Sequence, residues 1–273
     1  MAAGYIHTFS AAEQARLAAQ AEFLEPYVFP TIDFSCCERV LEVGCGVGAE
    51  LKILRRRFPQ LHLTGLDHSE IQLAKAGEWL QEDLASERLA LHAGSAYELP
   101  FAAGTFDGAC LIWVLEHLLD PARALREVWR VLSPGGVLSV TEVCNSSWSV
   151  SPQCPAMIEY WRAFNEFQRQ LGGNPDVGAQ LGRLATQTRF GEIHHRSLPV
   201  RMDAAMKDLA QRRRFISYWE SLWLSGAAGM QERGLISSAL AETMQLEFAS
   251  LVRNPEGSFN YTAYQVQARK TVL

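Results

Sequence analysis

The sequence predicts an α/β fold: a doubly wound, mostly parallel seven-stranded sheet with a helical insertion near the C-terminus. Three observations carry that prediction. From residue 39 to residue 143, short apolar runs alternate with helical stretches about every 25 residues, the cadence of βαβ units. A glycine-rich loop, Gly44-Cys45-Gly46-Val47-Gly48, lies between the first such run and the helix after it. Two late extended segments enclose a block of helical character over residues 204–252.

In chain order, residues 11–24 are Ala-rich and helical. Ser10 is placed to cap them, with Glu13 three residues on as in a capping box, and Pro26 and Pro30 are expected to end the helix. Residues 39–43 (RVLEV) form a short apolar run of the kind buried in a sheet. A helix over 48–57 stops before Pro59, a second strand covers 61–67, and Ser69 caps a helix running toward 85. Strands follow at 88–93 and 106–113. Pro121 opens the next helix at its first turn, where a missing N–H costs nothing, and that helix runs to Leu132. Ser133-Pro134-Gly135-Gly136 reads as a turn before a fifth strand at 137–143.

The second half differs. Met157, Trp161, Phe164, Phe167 and Leu171 recur at helical spacing over 155–171, and Gly172-Gly173-Asn174-Pro175 breaks that helix. Strands are expected at 192–200 and 259–268, with helices at 204–224 and 235–252 between them. No segment repeats at a fixed period, so a solenoid is not expected.

Composition narrows the function classes. Hydrophobic residues make up 48% of the 273 residues, net charge is -5 and the pI is near 5.8. That is ordinary globular composition without the basic bias of a nucleic-acid binder. No apolar run reaches the roughly 18 residues a bilayer span needs, and Met1-Ala2-Ala3-Gly4-Tyr5, without a basic stretch followed by a hydrophobic one, is not expected to be a signal peptide. The cysteines at 36, 37, 45, 110, 144 and 154 form no Cys-x-x-Cys pair, so neither zinc nor disulfide exchange is suggested. Reduced thiols and a cytoplasmic location are the simplest expectation. His194-His195 sit on an expected edge strand with no clustered carboxylates, and no metal is expected.

The most informative stretch is Glu42-Val43-Gly44-Cys45-Gly46-Val47-Gly48. Glycines at a strand-to-helix turn let the backbone bend sharply and approach a ligand. Ligands of open α/β sheets bind there, at the carboxyl ends of strands. Two readings compete. One is a dinucleotide loop, with Gly44, Gly46 and Ala49 as G-x-G-x-x-A. The other is the E-x-G-x-G-x-G loop of methyltransferases. Glu42 favours the second, because a carboxylate there suits a cationic amino group and repels a pyrophosphate. Asp67, 19 residues past Gly48 at the end of the second strand, can accept from both hydroxyls of a ribose. It serves either ligand, and its structural alternative is a helix N-terminal carboxylate.

The blocks VLEVGCGVG, GLDHS, GSAYELPF, FDGACLIWVLEHL and LREVWRVLSPGG occur in order over residues 40–136. Together they resemble class I S-adenosylmethionine-dependent methyltransferases of the methyltransferase-11 type. The resemblance implies that Gly44, Cys45, Gly46 and Gly48 pass close to the cofactor's methionine and ribose, and that Glu42 faces its amino group. It implies that Asp67 holds the ribose with His68 beside the adenine, that Ser95 and Ala96 flank the adenine ring, and that Ile112 and Trp113 form the cofactor floor. The family usually carries Asp where this chain has Ser95. The segments GYIHTFSAAEQARL, GGNPDVGAQLGRL and GSFNYTAYQVQARK further resemble microbial small-molecule methyltransferases, including teleocidin-type C-methyltransferases. There an N-terminal segment with a tyrosine covers the cofactor, in some members across subunits of a homo-oligomer; Tyr5 is the matching residue. On this reading residues 1–30 are a helical lid, 31–145 a cofactor-binding core and 146–273 the substrate side of the same domain.

The implied function is methyl transfer from S-adenosylmethionine to a small molecule, leaving S-adenosylhomocysteine, with no nucleic-acid or membrane partner. The leaving group is already activated, so proximity and alignment dominate. A base is needed only when the acceptor must lose a proton. His117 and Glu142 are the candidate catalytic residues, each with a purely structural alternative. Tyr5, His7 and Trp148 are candidates for the lid or the acceptor site. The aromatic set of the second half (Trp148, Tyr160, Trp161, Phe164, Tyr218, Trp219, Trp223) reads first as core packing, with the alternative that some of these rings wall an apolar or planar substrate site, and Arg212-Arg213-Arg214 as a solvated face or an anion clamp. A nicotinamide-dependent oxidoreductase and a non-catalytic cofactor-binding protein are the alternative functions.

Overall fold

The computed structural model describes Ile6 and residues 10–271; Tyr5 and His7 lie outside the described residues. Helix α1 (Ala11–Val28) is capped by Ser10, whose Oγ accepts from the Glu13 amide at 3.2 Å. The carboxylate of Glu13 turns to Arg16, which it grips through both oxygens. The helix continues through Pro26 to Val28, four residues beyond the expected end. A proline this close to the C-terminus removes one helical hydrogen bond, while Leu24 and Val28 are buried and hold the last turn in the core.

The sheet core follows in the expected order: β1 (Arg39–Val43), α2 (Ala49–Arg57), β2 (His62–Asp67), α3 (Glu70–Trp79), α4 (Gln81–Ala85), β3 (Leu89–Ala93), β4 (Phe106–Ile112), α5 (Pro121–Val131) and β5 (Leu132–Glu142). Ser69 caps α3 and Asp120 caps α5, each accepting from a backbone amide three residues on. The residues read as a turn at 133–136 are a bulge inside β5. Leu132 pairs with Phe106 and Val137 with Gly108, so the segment between them loops out, with Gly135 at φ +78°.

Then come β6 (Ser149–Ser151), α6 (Pro155–Gln170), α7 (Leu181–Gln187), β7 (Phe190–Met202), α8 (Leu209–Leu224), α9 (Ala227–Glu232), α10 (Ser238–Arg253) and β8 (Ser258–Lys270). Strand order is β3-β2-β1-β4-β5-β8-β6, with β7 on β8. β1 to β5 are parallel, and β8 runs antiparallel to β5, β6 and β7. The sheet thus has eight strands where seven are expected. The extra one, β6, spans three residues and is too short for a periodicity signal. The helices over 204–252 do lie between β7 and β8.

Two apolar layers cover the sheet. One packs α5 and α7 against one face through Leu125, Val128, Leu181 and Leu184. The other carries α1, α6, α8 and α10 and is rich in aromatic rings. Trp223 stacks on Trp161 at 4.6 Å and lies parallel to Tyr160 at 6.1 Å. No helix of the described residues is long and apolar enough to cross a membrane.

Candidate active site

Strand β1 delivers the chain into the glycine loop at the carboxyl edge of the sheet. Gly44, Gly46 and Gly48 take φ +77°, +51° and +76°, a left-handed region that disfavours any residue with a Cβ. A Cβ on Gly44 would lie 2.6 Å from Val114 Cγ2, whereas one on Gly46 meets nothing within 4 Å. Gly46 therefore borders open space. That space is a cavity with an empty volume of about 750 Å³. Gly44, Cys45, Gly46, Asp67, His68, Ile112 and Trp113 line it, and Leu17 and Gln20 of α1 close it from above.

Asp67, at the end of β2, ties the loop together. Its Oδ2 accepts from the Gly46 amide and its Oδ1 from the Ser69 amide, each at 2.8 Å. A carboxylate has about four acceptor positions, so capacity remains for a ligand's hydroxyls. His68 Nδ1 lies 3.4 Å from Asp67 Oδ1, and that contact raises the imidazole's pKa against the effect of burial.

Three carboxylates surround the glycine loop. Glu42 is 2% exposed and its Oε2 has no hydrogen-bond partner. Burial, then the charges of Glu50 and Asp67, drives its pKa well above the carboxylate range. Burial also pushes Glu50, in the first turn of α2, up to about 7. An orphaned buried acid beside two others is costly unless a cation compensates it. The donor set fits a sulfonium amino acid with a ribose and opposes a pyrophosphate.

A second cavity, with an empty volume of about 780 Å³, adjoins the first. Leu17, Gln20, Trp113 and His117 line both. Trp113 holds φ +58°, unusual for a bulky residue; this turn at the end of β4 seats its side chain between the two spaces. The inner walls are aromatic, from Tyr27, Trp161, Phe164, Tyr218, Trp219 and Tyr261. Glu116 and His117 supply titratable groups on one side, with His117 Nε2 3.8 Å from Glu116 Oε1. Gln168 Nε2 donates to Glu116 Oε2 at 2.6 Å. Burial lifts the Glu116 carboxyl to about 7 and drops the His117 imidazole to about 4, so His117 is neutral at physiological pH. Asn145 is fixed between Asn165, Tyr261 and Trp161: it donates to Asn165 and accepts from the other two.

Residues 41–140 match the family described as "Methyltransferase domain". These residues form a class I S-adenosylmethionine-dependent methyltransferase domain. The chain is 34% identical to a trans-aconitate 2-methyltransferase of Deinococcus radiodurans over 171 residues, 63% of this chain and 55% of that one. It is 32% identical to a sterol 24-C-methyltransferase of Gibberella zeae over 118 residues, 43% of this chain and 31% of the relative. The chain thus spans about half or less of the length of these relatives. Among solved structures, a Haemonchus contortus phosphoethanolamine N-methyltransferase with S-adenosylmethionine superposes with TM-score 0.59 at 16% identity, covering 97% of this chain and 58% of that one. A geranyl diphosphate methyltransferase with the same cofactor gives 0.56 at 17% identity, covering 96% and 92%. At these identities the structures share the fold.

The methyltransferase domain gathers most of the site residues expected from its sequence, and others fall elsewhere. Gly44, Cys45, Gly46, Asp67, His68, Ile112 and Trp113 line the first cavity and His117 lines both. Glu42 lies behind the loop and Gly48 at the cap of α2. Ser95 and Ala96 do not line either cavity; the Ser95 hydroxyl accepts from the Tyr97 amide at 3.1 Å in a local turn.

Glu142 also lines neither cavity. It is fully buried and accepts from the amides of Val114, Leu115 and Glu116 at 2.9, 2.6 and 3.3 Å. Its carboxylate positions the loop that carries Glu116 and His117 and does not reach an acceptor. Trp148 faces a shallow depression with Ile158 and Arg162, outside the aromatic cavity. Arg212 is neither solvated nor a clamp for anions. It is 3% exposed and donates to the carbonyls of Asp203, Met206, Leu251, Val252, Asn254 and Gly257.

The sequence reading missed Arg16, Gln20, Glu50 and Glu116. Glu116 had a signal, its place beside His117 after β4. Arg16 and Gln20 are four residues apart on one face of α1, which singled them out only as a pair on a helix.

Proposed function

We propose that this chain transfers a methyl group from S-adenosylmethionine to a small-molecule acceptor. One observation carries the reading: the glycine-loop cavity, lined by Glu50 and Asp67 and backed by the buried Glu42, opens through Trp113 and His117 onto a second cavity of similar size. When bound, the cofactor supplies a methyl group on a sulfonium, already activated for in-line displacement.

Asp67 would hold the ribose and Glu42 the methionine amino group, directly or through water. Trp113, at the junction, would separate the cofactor from the acceptor and align their reacting atoms, the contribution that matters most for this chemistry. Where the acceptor must lose a proton, Glu116 is the group to take it. Its pKa of about 7 matches the working pH of a general base, and Gln168 fixes its second oxygen. His117 would hydrogen-bond the acceptor as a neutral imidazole.

The trans-aconitate, sterol and geranyl diphosphate methyltransferases that this chain resembles act on diverse small molecules, which supports the class of acceptor without choosing among them. The test is incubation of the protein with methyl-tritiated cofactor and fractionated small-metabolite extracts. Label transferred to an organic-soluble product, with one S-adenosylhomocysteine per methyl, supports the proposal. Cofactor binding without transfer to any fraction would favour a non-catalytic cofactor-binding role.

A further inference from the structure

The aromatic cavity bears on the acceptor's chemistry, an inference that rests on the methyl-transfer reading above. Among the described residues lining it, only Arg16 and Glu116 carry a formal charge. Among the described lining residues Arg16 is the one cation, since His117 is neutral, and it is already matched. Its Nε and Nη2 donate to the two oxygens of Glu13 at 2.8 and 2.6 Å, and its Nη1 donates to Gln20 at 2.7 Å. Arg16 and Glu13 are both nearly buried, so the ion pair presents little net positive charge to an incoming group.

Apart from Gln20 and Asn145, the rest of the described wall is apolar or aromatic: Leu24, Val28, Trp161, Phe164, Leu198 and Trp219 are all less than 9% exposed. A phosphate or a cluster of carboxylates needs several converging cations or amides, and here it would meet the Glu116 carboxyl instead. Aromatic walls with a few fixed polar groups suit a ligand that is mostly hydrocarbon. Its fixed polar contacts would be Asn145 and Tyr261, held to each other at 3.1 Å, and the Glu116–His117 edge facing the cofactor cavity.

We infer that the methyl acceptor is a neutral, predominantly apolar molecule, carrying its reactive atom on a polar end directed at Glu116 and His117, and that polyanionic acceptors are excluded from this cavity.

The test uses matched probes on the full chain. S-adenosylhomocysteine is titrated first, and then geraniol and geranyl diphosphate are compared on the cofactor-loaded protein by quenching of tryptophan fluorescence. 2-Naphthol and 2-naphthoate form a second pair. The neutral member of each pair should bind at least tenfold tighter than its anion. The Leu222→Trp variant, which fills the cavity away from the cofactor, should lose the neutral probes and retain S-adenosylhomocysteine. Tighter binding of either anion, binding of neither neutral probe, or unchanged probe binding by Leu222→Trp would overturn the inference while leaving the cofactor assignment standing. Absence of S-adenosylhomocysteine binding would overturn the functional reading and this inference with it.

Discussion

Asp67 Oδ2 accepts from the Gly46 amide at 2.8 Å, so the end of β2 and the apex of the glycine loop are one mechanical unit. The same carboxylate is the group placed to meet a ribose. Asp67→Ala should therefore weaken S-adenosylhomocysteine binding by about 1–3 kcal/mol, the range for removing a partner of a buried or charged hydrogen-bonding group. Calorimetric titration measures it, and an unchanged affinity would remove Asp67 from the site.

The glycines of the loop should separate under substitution. Gly44→Ala pays for a left-handed backbone and also presses on Val114, so it should lower the melting temperature. Gly46→Ala carries the same backbone cost, about 1–2 kcal/mol, but its Cβ meets no protein atom. It should lower stability less and S-adenosylhomocysteine affinity more, by tenfold or greater. Melting curves and titrations of the two variants side by side decide this.

The carboxylate of Glu142 takes three amides of the segment 114–116. Burial, then the charge of Glu116, raises the Glu142 pKa well above the carboxylate range, so the energetic weight lies in the amides it satisfies: each buried donor left unpaired costs about 1–3 kcal/mol, and Glu142→Ala should be strongly destabilising in a denaturant titration. Glu142→Gln keeps one acceptor oxygen and should cost less. Loss of turnover in Glu142→Gln with full stability would instead return Glu142 to the reacting groups.

Glu116 has a folded pKa of about 7 against an ordinary 4.5. Between those values the folded state binds more protons than the unfolded chain, so this group's contribution to stability falls as pH rises through the window. His117, lowered from 6.5 to about 4, works in the opposite sense and increases stability as pH rises from about 4 to 6.5. Glu116→Gln keeps a partner for Gln168 and removes the carboxyl. Relative to the parent, its melting temperature should improve between about pH 5 and pH 8. If Glu116 accepts the acceptor's proton, turnover should rise with pH through about 7 in the parent and stay low and flat in Glu116→Gln.

Arg212 is enclosed by six carbonyls at the ends of α10 and the segment before α8. Arg212→Ala leaves those buried carbonyls without their donor, at about 1–3 kcal/mol for each that stays unsatisfied, and should be strongly destabilising. Arg213→Ala, on an exposed neighbour, should be near neutral. Equal melting temperatures for the two would contradict the carbonyl cage.

The alternation of strands and helices and the glycine loop were legible because both are local. A buried parallel strand must be apolar throughout, and a backbone with positive φ selects glycine. Asp67 and Trp113 followed, since strand ends at the carboxyl edge are fixed by strand length alone. What was not legible depends on packing between distant segments. Arg212 sits in an arginine run that looks solvated, yet α10 and β8 fold over it. Glu142 looks like a pocket-rim acid, yet the loop after β4 closes on its carboxylate. Ser95 accepts from its own turn and lines neither cavity, and Trp148 packs against Trp161 from outside the aromatic cavity. Pro26 lies inside a helix because burial of Leu24 and Val28 outweighs one lost backbone bond.

The central claim is that three acids and a glycine loop hold a sulfonium nucleoside and refuse a pyrophosphate. Calorimetric titration with S-adenosylmethionine and with NAD+ tests it most directly. The account predicts single-site binding of S-adenosylmethionine, weakened in Asp67→Ala, and no binding of NAD+. Binding of NAD+ with no heat from S-adenosylmethionine would contradict it.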